Sequence, residues 1–302
     1  MIRTLPTLDS PALADRCRAA LDIPRHVAAD LGRSALRACV AGQYDLSPGI
    51  VAHWRSPVAR AQRAKVSIPP DAELPSCTHP SFPETRVQVT NETTLAAARR
   101  LFDAGHRPLA LNFANGIHPG GGFLNGAKAQ EETLCRSSAL FATLHGDPMY
   151  AAHAARPLPD STNWAIYSPD VPVFRTDSGT ALAQPWLLSF ITCAAPYAPD
   201  VGHRSADLLE QRIHRVLAVA RAYGHTSLVL GAWGCGAFGN DPRRTALGFH
   251  DALAGPFGGA FSDVVLAIAD WSPERRYLRP FADVFEAGYT RQDIEAVVGS
   301  WF

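Results

Sequence analysis

The sequence predicts an α/β fold in three layers, α/β/α, with a mixed central sheet and an N-terminal helical extension. Three observations lead there. From about residue 86 onward, short apolar runs alternate with stretches of helical period, the pattern of a sheet between helices. The runs Pro108–Phe113, Ser227–Leu230 and Val264–Ile268 are four to six residues long, the size of strands and too short for helices. Two of these strands run into glycine-rich loops, Asn112–Glu132 and Gly231–Pro242, and each loop leads into a helix.

The bulk numbers bound the rest. The chain has 302 residues, 47% of them hydrophobic, enough for a sizeable core. That length is large for one domain and small for two. The expectation is one main domain over residues 85–302, preceded by a helical and loop accessory segment over residues 1–84. Lys+Arg and Asp+Glu both total 28, a formal charge of zero. Such a balance carries no footprint of direct nucleic-acid binding, although it does not forbid a local basic groove. The six cysteines, Cys17, Cys39, Cys77, Cys135, Cys193 and Cys235, form no C-x-x-C pair and no zinc spacing. They read as buried free thiols in a reducing compartment. No apolar run reaches the roughly 18 residues of a membrane span, and Met1–Ser10 lacks a signal-peptide core. The expected location is cytoplasmic, away from membranes.

In chain order, a short helical pattern around Ala12–Leu21 precedes Pro24, which suits a first helical position. Arg25–Gly42 carries Val27, Leu31, Ala35, Leu36, Cys39 and Val40 at helical spacing, with Gly42 as the stop. Residues 45–84 hold seven prolines and read as a linker wrapping the surface. Arg86–Thr90 alternates as a strand does. Thr93–Ala104 reads as a helix stopped by Gly105, and Pro108–Phe113 as a buried strand. A helix from Glu131 is expected to continue to about Leu144, with loop over 146–162. Asn163–Tyr167 reads as a short strand, followed by Ser168–Arg175 with two interrupting prolines. Trp186–Cys193 is an apolar strand and Ala206–Tyr223 a helix. Pro242–Leu253 and Phe281–Ala287 close the helical set.

The first loop carries the chemistry. It holds three consecutive glycines, Gly120, Gly121 and Gly122, and ends in Gln130-Glu131-Glu132 at a helix start. Glycine tolerates positive φ and admits close approach, and a helix N-terminus favours an anion, so the loop has the form of an anion cradle. The two glutamates stand where that anion would sit. Neighbouring helical residues point about 100° apart, so at most one faces a reacting atom squarely. Close carboxylates raise the pKa of one of them, which suits a general acid near neutral pH. The alternative is a solvated first turn, where Glu is common.

The string Gly-Gly-Gly, seven residues, then Gln-Glu-Glu resembles the signature of the poly(ADP-ribose) glycohydrolases, whose catalytic domain is a macrodomain. The flanking Leu111–Asn115 and Gly122–Ala127 are similar to the compact microbial branch of that family. So are the arginine-led helix from Arg25, ending in Gly42-Gln43-Tyr44, and the segment Ser168–Arg175. The resemblance runs through most of residues 25–290. It implies hydrolysis of ribose–ribose bonds in poly(ADP-ribose) or ADP-ribosylated protein, with ADP-ribose as product and no metal or other cofactor. It implies catalytic roles for Glu132, as acid/base, and Glu131, as an orienting group. Asn115 resembles the asparagine that binds a distal-ribose hydroxyl; otherwise it is a turn residue. Gly120, Gly121, Gly122, Phe123 and Gln130 complete this side of the expected substrate site.

The second loop, Gly231–Pro242, contains four glycines and no Lys or Arg before Asn240. Without a G-K-[ST] it is not a P-loop; a backbone cradle is the expectation, since ligands of α/β sheets gather at strand carboxyl ends. In the family the corresponding loop grips the diphosphate, which implicates Gly234, Cys235, Gly236, Ala237, Phe238 and Gly239. By position Phe238 packs on the terminal ribose; residue type alone makes it a core aromatic. His118 reads as a loop residue and Asn112 as structural.

Overall fold

The computed structural model describes residues 1–76 and 80–287. Cys77 and the expected domain's last residues, 288–302, lie outside the described residues. The first elements are β1 (Ile2–Thr4), α1 (Pro11–Leu21), α2 (Arg25–Ala41), β2 (Gln43–Ser47), β3 (Ile50–His53), α3 (Arg55–Ala64) and β4 (Val66–Ile68). Then come β5 (Thr85–Thr90), α4 (Thr94–Asp103), β6 (Pro108–Ala114), α5 (Gln130–Ser137), α6 (Leu140–Leu144) and α7 (Pro148–Ala154). The chain continues with β7 (Ala165–Arg175), β8 (Ala181–Ala194), α8 (Ala198–Val201), α9 (Ser205–Ala222), β9 (Ser227–Leu230), α10 (Pro242–Ala254), β10 (Asp263–Ala267) and α11 (Leu278–Ala287).

Eight strands form one sheet in the order β1-β5-β10-β9-β6-β8-β7-β4. Pairing is parallel from β1 across to β8, then antiparallel to β7 and β4. The mixed sheet therefore stands as expected. Alternate side chains face opposite cores, as the period of two requires. Leu109, Leu111, Leu228, Leu230, Val264 and Leu266 pack with Leu209, Ile213 and Leu217 of α9 and with α10 and α11. Ala110, Val229, Val265 and Phe190 face the other way, toward α2, α4, α5 and α6.

The first 84 residues are not the separate accessory segment the sequence suggests. They supply both edge strands of the sheet, β1 beside β5 and β4 beside β7. Nor is 45–84 a bare linker: it contains the β2–β3 hairpin, α3 and β4. Its Pro57 lies in the first turn of α3, where a missing N–H costs no helical bond.

Three other expectations are corrected by tertiary contacts. The helix from Gln130 stops at Ser138, which is extended (φ −142°, ψ 177°) and bridges to Val173. Its hydroxyl donates to the Leu134 carbonyl and accepts from the Leu140 amide, closing one helix and opening the next. Residues 148–154 form α7, capped by the Asp147 side chain. β7 runs on through Pro169 and Pro172 because a register shift between Ser168 and Val171 takes the first proline out of the ladder.

Candidate active site

Loops after the carboxyl ends of the parallel strands close around one cavity of about 460 Å³, where the topology of such sheets places ligands. Glu131 and Glu132 line it. Both are buried, in a helix whose residues from Glu131 to Ser137 are all buried.

Glu131 accepts three hydrogen bonds. The Asn112 side chain and the Gly120 amide donate to Oε1, each at 3.2 Å, and the Asn115 amide donates to Oε2 at 2.7 Å. Burial, the largest influence, pushes this carboxyl up to about 8; the Asn115 amide pulls it down and the neighbouring Glu132 charge pushes it further up. Glu132 accepts from the Gly122 amide at Oε1, 2.9 Å away. Its second oxygen takes no hydrogen bond among the described residues, so one oxygen is anchored and the other is left for chemistry.

The first glycine loop is therefore not a diphosphate cradle. Its amides are already engaged: Gly120 and Gly122 with the glutamates, Gly121 with the His118 carbonyl, and Phe123 with the Gly120 carbonyl. A side chain at Gly121 (φ +56°) would displace Glu132, because a Cβ there would lie 2.3 Å from Glu132 Oε1. Phe123 also departs from expectation. Its ring is 2% exposed and packs on Phe141, with ring centres 4.9 Å apart, so it belongs to the core. Gln130 borders the cavity, but its amide clamps α5 to β6. It accepts from the Phe113 amide at 2.9 Å and donates to the Leu111 carbonyl at 2.7 Å. Asn115 also lines the cavity, while its side-chain oxygen closes a turn by accepting from the Ile117 and His118 amides. Asn112, expected to be structural, is buried and orients Glu131.

The second loop keeps its donors free. The amides of Gly234, Gly236, Ala237 and Phe238 have no protein acceptor among the described residues. The loop is held from behind by Asn240, whose side chain donates to the carbonyls of Pro196 and Gly234. Gly234, Gly236, Ala237 and Phe238 line the cavity. The Cys235 side chain is buried and bonds to Trp233 and Thr245, and Gly239 faces a neighbouring hollow between α9 and α10. Neither borders this cavity. Phe238 is half-buried and meets Tyr197 edge to face, with ring centres 5.9 Å apart.

Sequence reasoning missed the far end of the cavity. Glu92 and Thr93, after β5, and Trp271 and Tyr277, after β10, line it. The signal was available, since both segments follow parallel strands, as the glycine loops do. Asp177 also lines the cavity, buried and accepting from Thr93 Oγ1 at 2.6 Å. Nothing local marked it, because the turn after β7 brings it there.

The family profile described as microbial-type PARG, catalytic domain, matches residues 32–176, which include the C-terminal part of α2, the first glycine loop and both glutamates. Among solved structures, poly(ADP-ribose) glycohydrolase (PARG) from Thermomonospora curvata is 41% identical over 86% of this chain and 100% of its own, with a TM-score of 0.80. This chain belongs to the microbial-type poly(ADP-ribose) glycohydrolases. The Thermomonospora glycohydrolase bound to the inhibitor ADP-HPD matches at 40% identity over the same shares of the two chains, with a TM-score of 0.78. The Deinococcus radiodurans glycohydrolase in complex with ADP-ribose matches at 38% identity over 76% of this chain and 97% of its own, with a TM-score of 0.70. Comparison with curated proteins finds no match. Within this microbial-type PARG the macrodomain expectation stands, and no helix among the described residues is long and apolar enough to cross a membrane.

Proposed function

We propose that this protein is a poly(ADP-ribose) glycohydrolase, hydrolysing the ribose–ribose O-glycosidic bond of poly(ADP-ribose) and releasing ADP-ribose. One observation carries it: a buried carboxylate, Glu132, anchored through one oxygen by Gly122, in the same cavity as a loop of unpaired amides. The diphosphate of the terminal unit accepts from Gly234, Gly236, Ala237 and Phe238, and Phe238 packs against the terminal ribose. The far end, with the rings of Trp271 and Tyr277, receives the adenine.

Burial holds the Glu131 carboxyl up to about 8, so the site keeps a proton beside Glu132 at neutral pH. Glu132 gives that proton to the leaving 2′-oxygen of the penultimate ribose as the glycosidic bond breaks. The terminal ribose becomes oxocarbenium-like. Glu132, now a carboxylate, takes a proton from water as the water oxygen bonds the anomeric carbon. A scheme with two carboxylates on opposite sides of the sugar does not suit consecutive residues held by one loop. Glu131 therefore orients: it ties Asn115 and Gly120 in place and keeps a position on Oε2 for a ribose hydroxyl. The setting is the cytoplasmic reversal of ADP-ribosylation.

Product analysis on poly(ADP-ribose) chains and on mono-ADP-ribosylated protein tests this. Free ADP-ribose from chains is expected. Release only from the mono-modified protein makes it a hydrolase of another ADP-ribosyl link, and binding without release makes it a reader module.

A further inference from the structure

The neutral total charge hides an uneven distribution. Seven of the 28 basic residues but only two of the 28 acidic ones fall within residues 25–65. They are Arg25, Arg33, Arg37, Arg55, Arg60, Arg63 and Lys65, against Asp30 and Asp45. This stretch has an excess of five positive charges, which the remainder balances with an equal negative excess. α3 carries three arginines and no acid at all. All six arginines are exposed. Lys65 is neutralised by buried Asp147 at 2.6 Å and Arg33 pairs with Asp30 at 2.7 Å. The side chains of Arg37, Arg60 and Arg63 have no hydrogen bond or ion pair among the described residues. Arg33 and Arg37 are four apart on α2, Arg60 and Arg63 three apart on α3, so each pair shares a helix face.

This charge lies beside the catalytic loop. α2 packs so closely on it that a Cβ at Gly32 would lie 2.4 Å from the Phe123 carbonyl oxygen. Arg33 Nη1 donates to the Leu124 carbonyl at 3.2 Å and Arg25 Nε to the Asn125 carbonyl at 3.0 Å. Two to three residues upstream is Gly122, which holds Glu132. α3 reaches the same neighbourhood: Gln62 donates to the Ala142 carbonyl at 3.2 Å, next to Phe141, whose ring meets that of Phe123. Meanwhile the cavity, at about 460 Å³, is the size of a site for one small-molecule unit. The rest of a polymer has to lie outside it.

We propose that the exposed arginines of α2 and α3 form a second, electrostatic binding surface for poly(ADP-ribose), engaging the diphosphates of the chain that continues beyond the cavity. This rests on the glycohydrolase function proposed above. Each repeat of the polymer carries a diphosphate, and guanidinium groups match phosphate oxygens in pairs. A single exposed pair contributes little. A row of them releases counterions from a polyanion, raising affinity at low salt and capture rate with it. The surface makes this enzyme favour long chains over the shortest cleavable substrate.

The test compares kcat/KM for long poly(ADP-ribose) and for the ADP-ribose dimer, across a salt series, in the unsubstituted protein and in R37Q/R60Q/R63Q. None of these three residues touches the cavity. The expected result at low salt is a loss of about ten-fold on long chains, the low end of electrostatic steering, with the dimer unchanged. The salt slope on long chains should flatten by about two, from roughly 0.7 per charge removed. R37K/R60K/R63K keeps the charge and should keep most of the preference. Equal losses on both substrates, or no loss on long chains, overturns the proposal. So does single-stranded DNA that competes for this surface as well as poly(ADP-ribose) does, which reassigns it to nucleic acid. No ADP-ribose release from either substrate by the unsubstituted protein overturns the glycohydrolase function itself. That outcome is distinguishable, because it appears before any arginine is changed.

Discussion

The Gly122 amide donates to Glu132 at 2.9 Å, and two residues earlier the Gly120 amide donates to Glu131 at 3.2 Å. A single turn of backbone therefore fixes two consecutive carboxylates, both of which come close to Gly121. Only a loop without side chains can fold this tightly over a helix start. The three glycines serve the acids first, and the phosphate-binding work passes to the loop after β9.

Replacing Glu132 with glutamine keeps the size of the side chain and its hydrogen bond from Gly122 but removes the transferable proton. Turnover should fall by at least the 10²–10⁴-fold typical of general acid–base catalysis. ADP-ribose affinity, measured by calorimetry, should persist because the second loop is untouched. Wild-type release of ADP-ribose by this variant would move the acid to another residue.

Activity should also depend on the proton that Glu131 retains. With the Glu131 carboxyl at about 8, kcat/KM is expected to fall as pH rises through that value, and a profile flat to pH 10 would contradict it. The same shift has a stability consequence. The folded value lies above the ordinary 4.5, so the folded state holds an extra proton between the two. This contribution to stability is fully present below about 4.5 and is lost as pH rises through about 8. Glu131→Gln lacks the group, so its melting temperature relative to the unsubstituted protein should climb from pH 5 to pH 9.

A methyl group at Gly121 has no space beside Glu132 Oε1, and the backbone there has positive φ. Gly121→Ala should cost about 1–2 kcal/mol of backbone strain and push the carboxylate aside. Displacements near 1 Å lose on the order of 100-fold in rate. Steady-state kinetics beside melting curves separate the two effects; unchanged kcat would show that the loop does not set the acid's position.

Phe238 is half-buried against Tyr197 and faces the cavity. Phe238→Ala should therefore cost less stability than the roughly 3–5 kcal/mol of a fully buried phenylalanine, while kcat/KM drops markedly. Loss of the full core value in denaturant titration, with turnover per folded molecule intact, would return Phe238 to the core.

The α/β/α plan was readable in the chain because strand and helix periods persist locally: Ser227–Leu230 and Pro242–Leu253 are set by their own apolar spacing and flanking glycines. The glycine-glutamate signature identified the site for the same reason, being contiguous. The edge strands β1 and β4 could not be found that way. Each is three residues long and is a strand only because a neighbour offers hydrogen bonds. The division at residue 84 failed on that account.

By itself, then, the sequence determined which segments alternate, which loop carries the carboxylates and that the second loop is a backbone cradle without a lysine. The tertiary structure decided how those parts work. It turned the amides of Gly120 and Gly122 onto the glutamates, sank Phe123 and Cys235 into the core, and made Gln130 a clamp. It also brought Glu92, Asp177 and Trp271 to one cavity from three separate loops. The physical reason is that hydrogen-bond donors and burial are shared between segments far apart in the chain, so a residue's role depends on what the fold sets opposite it.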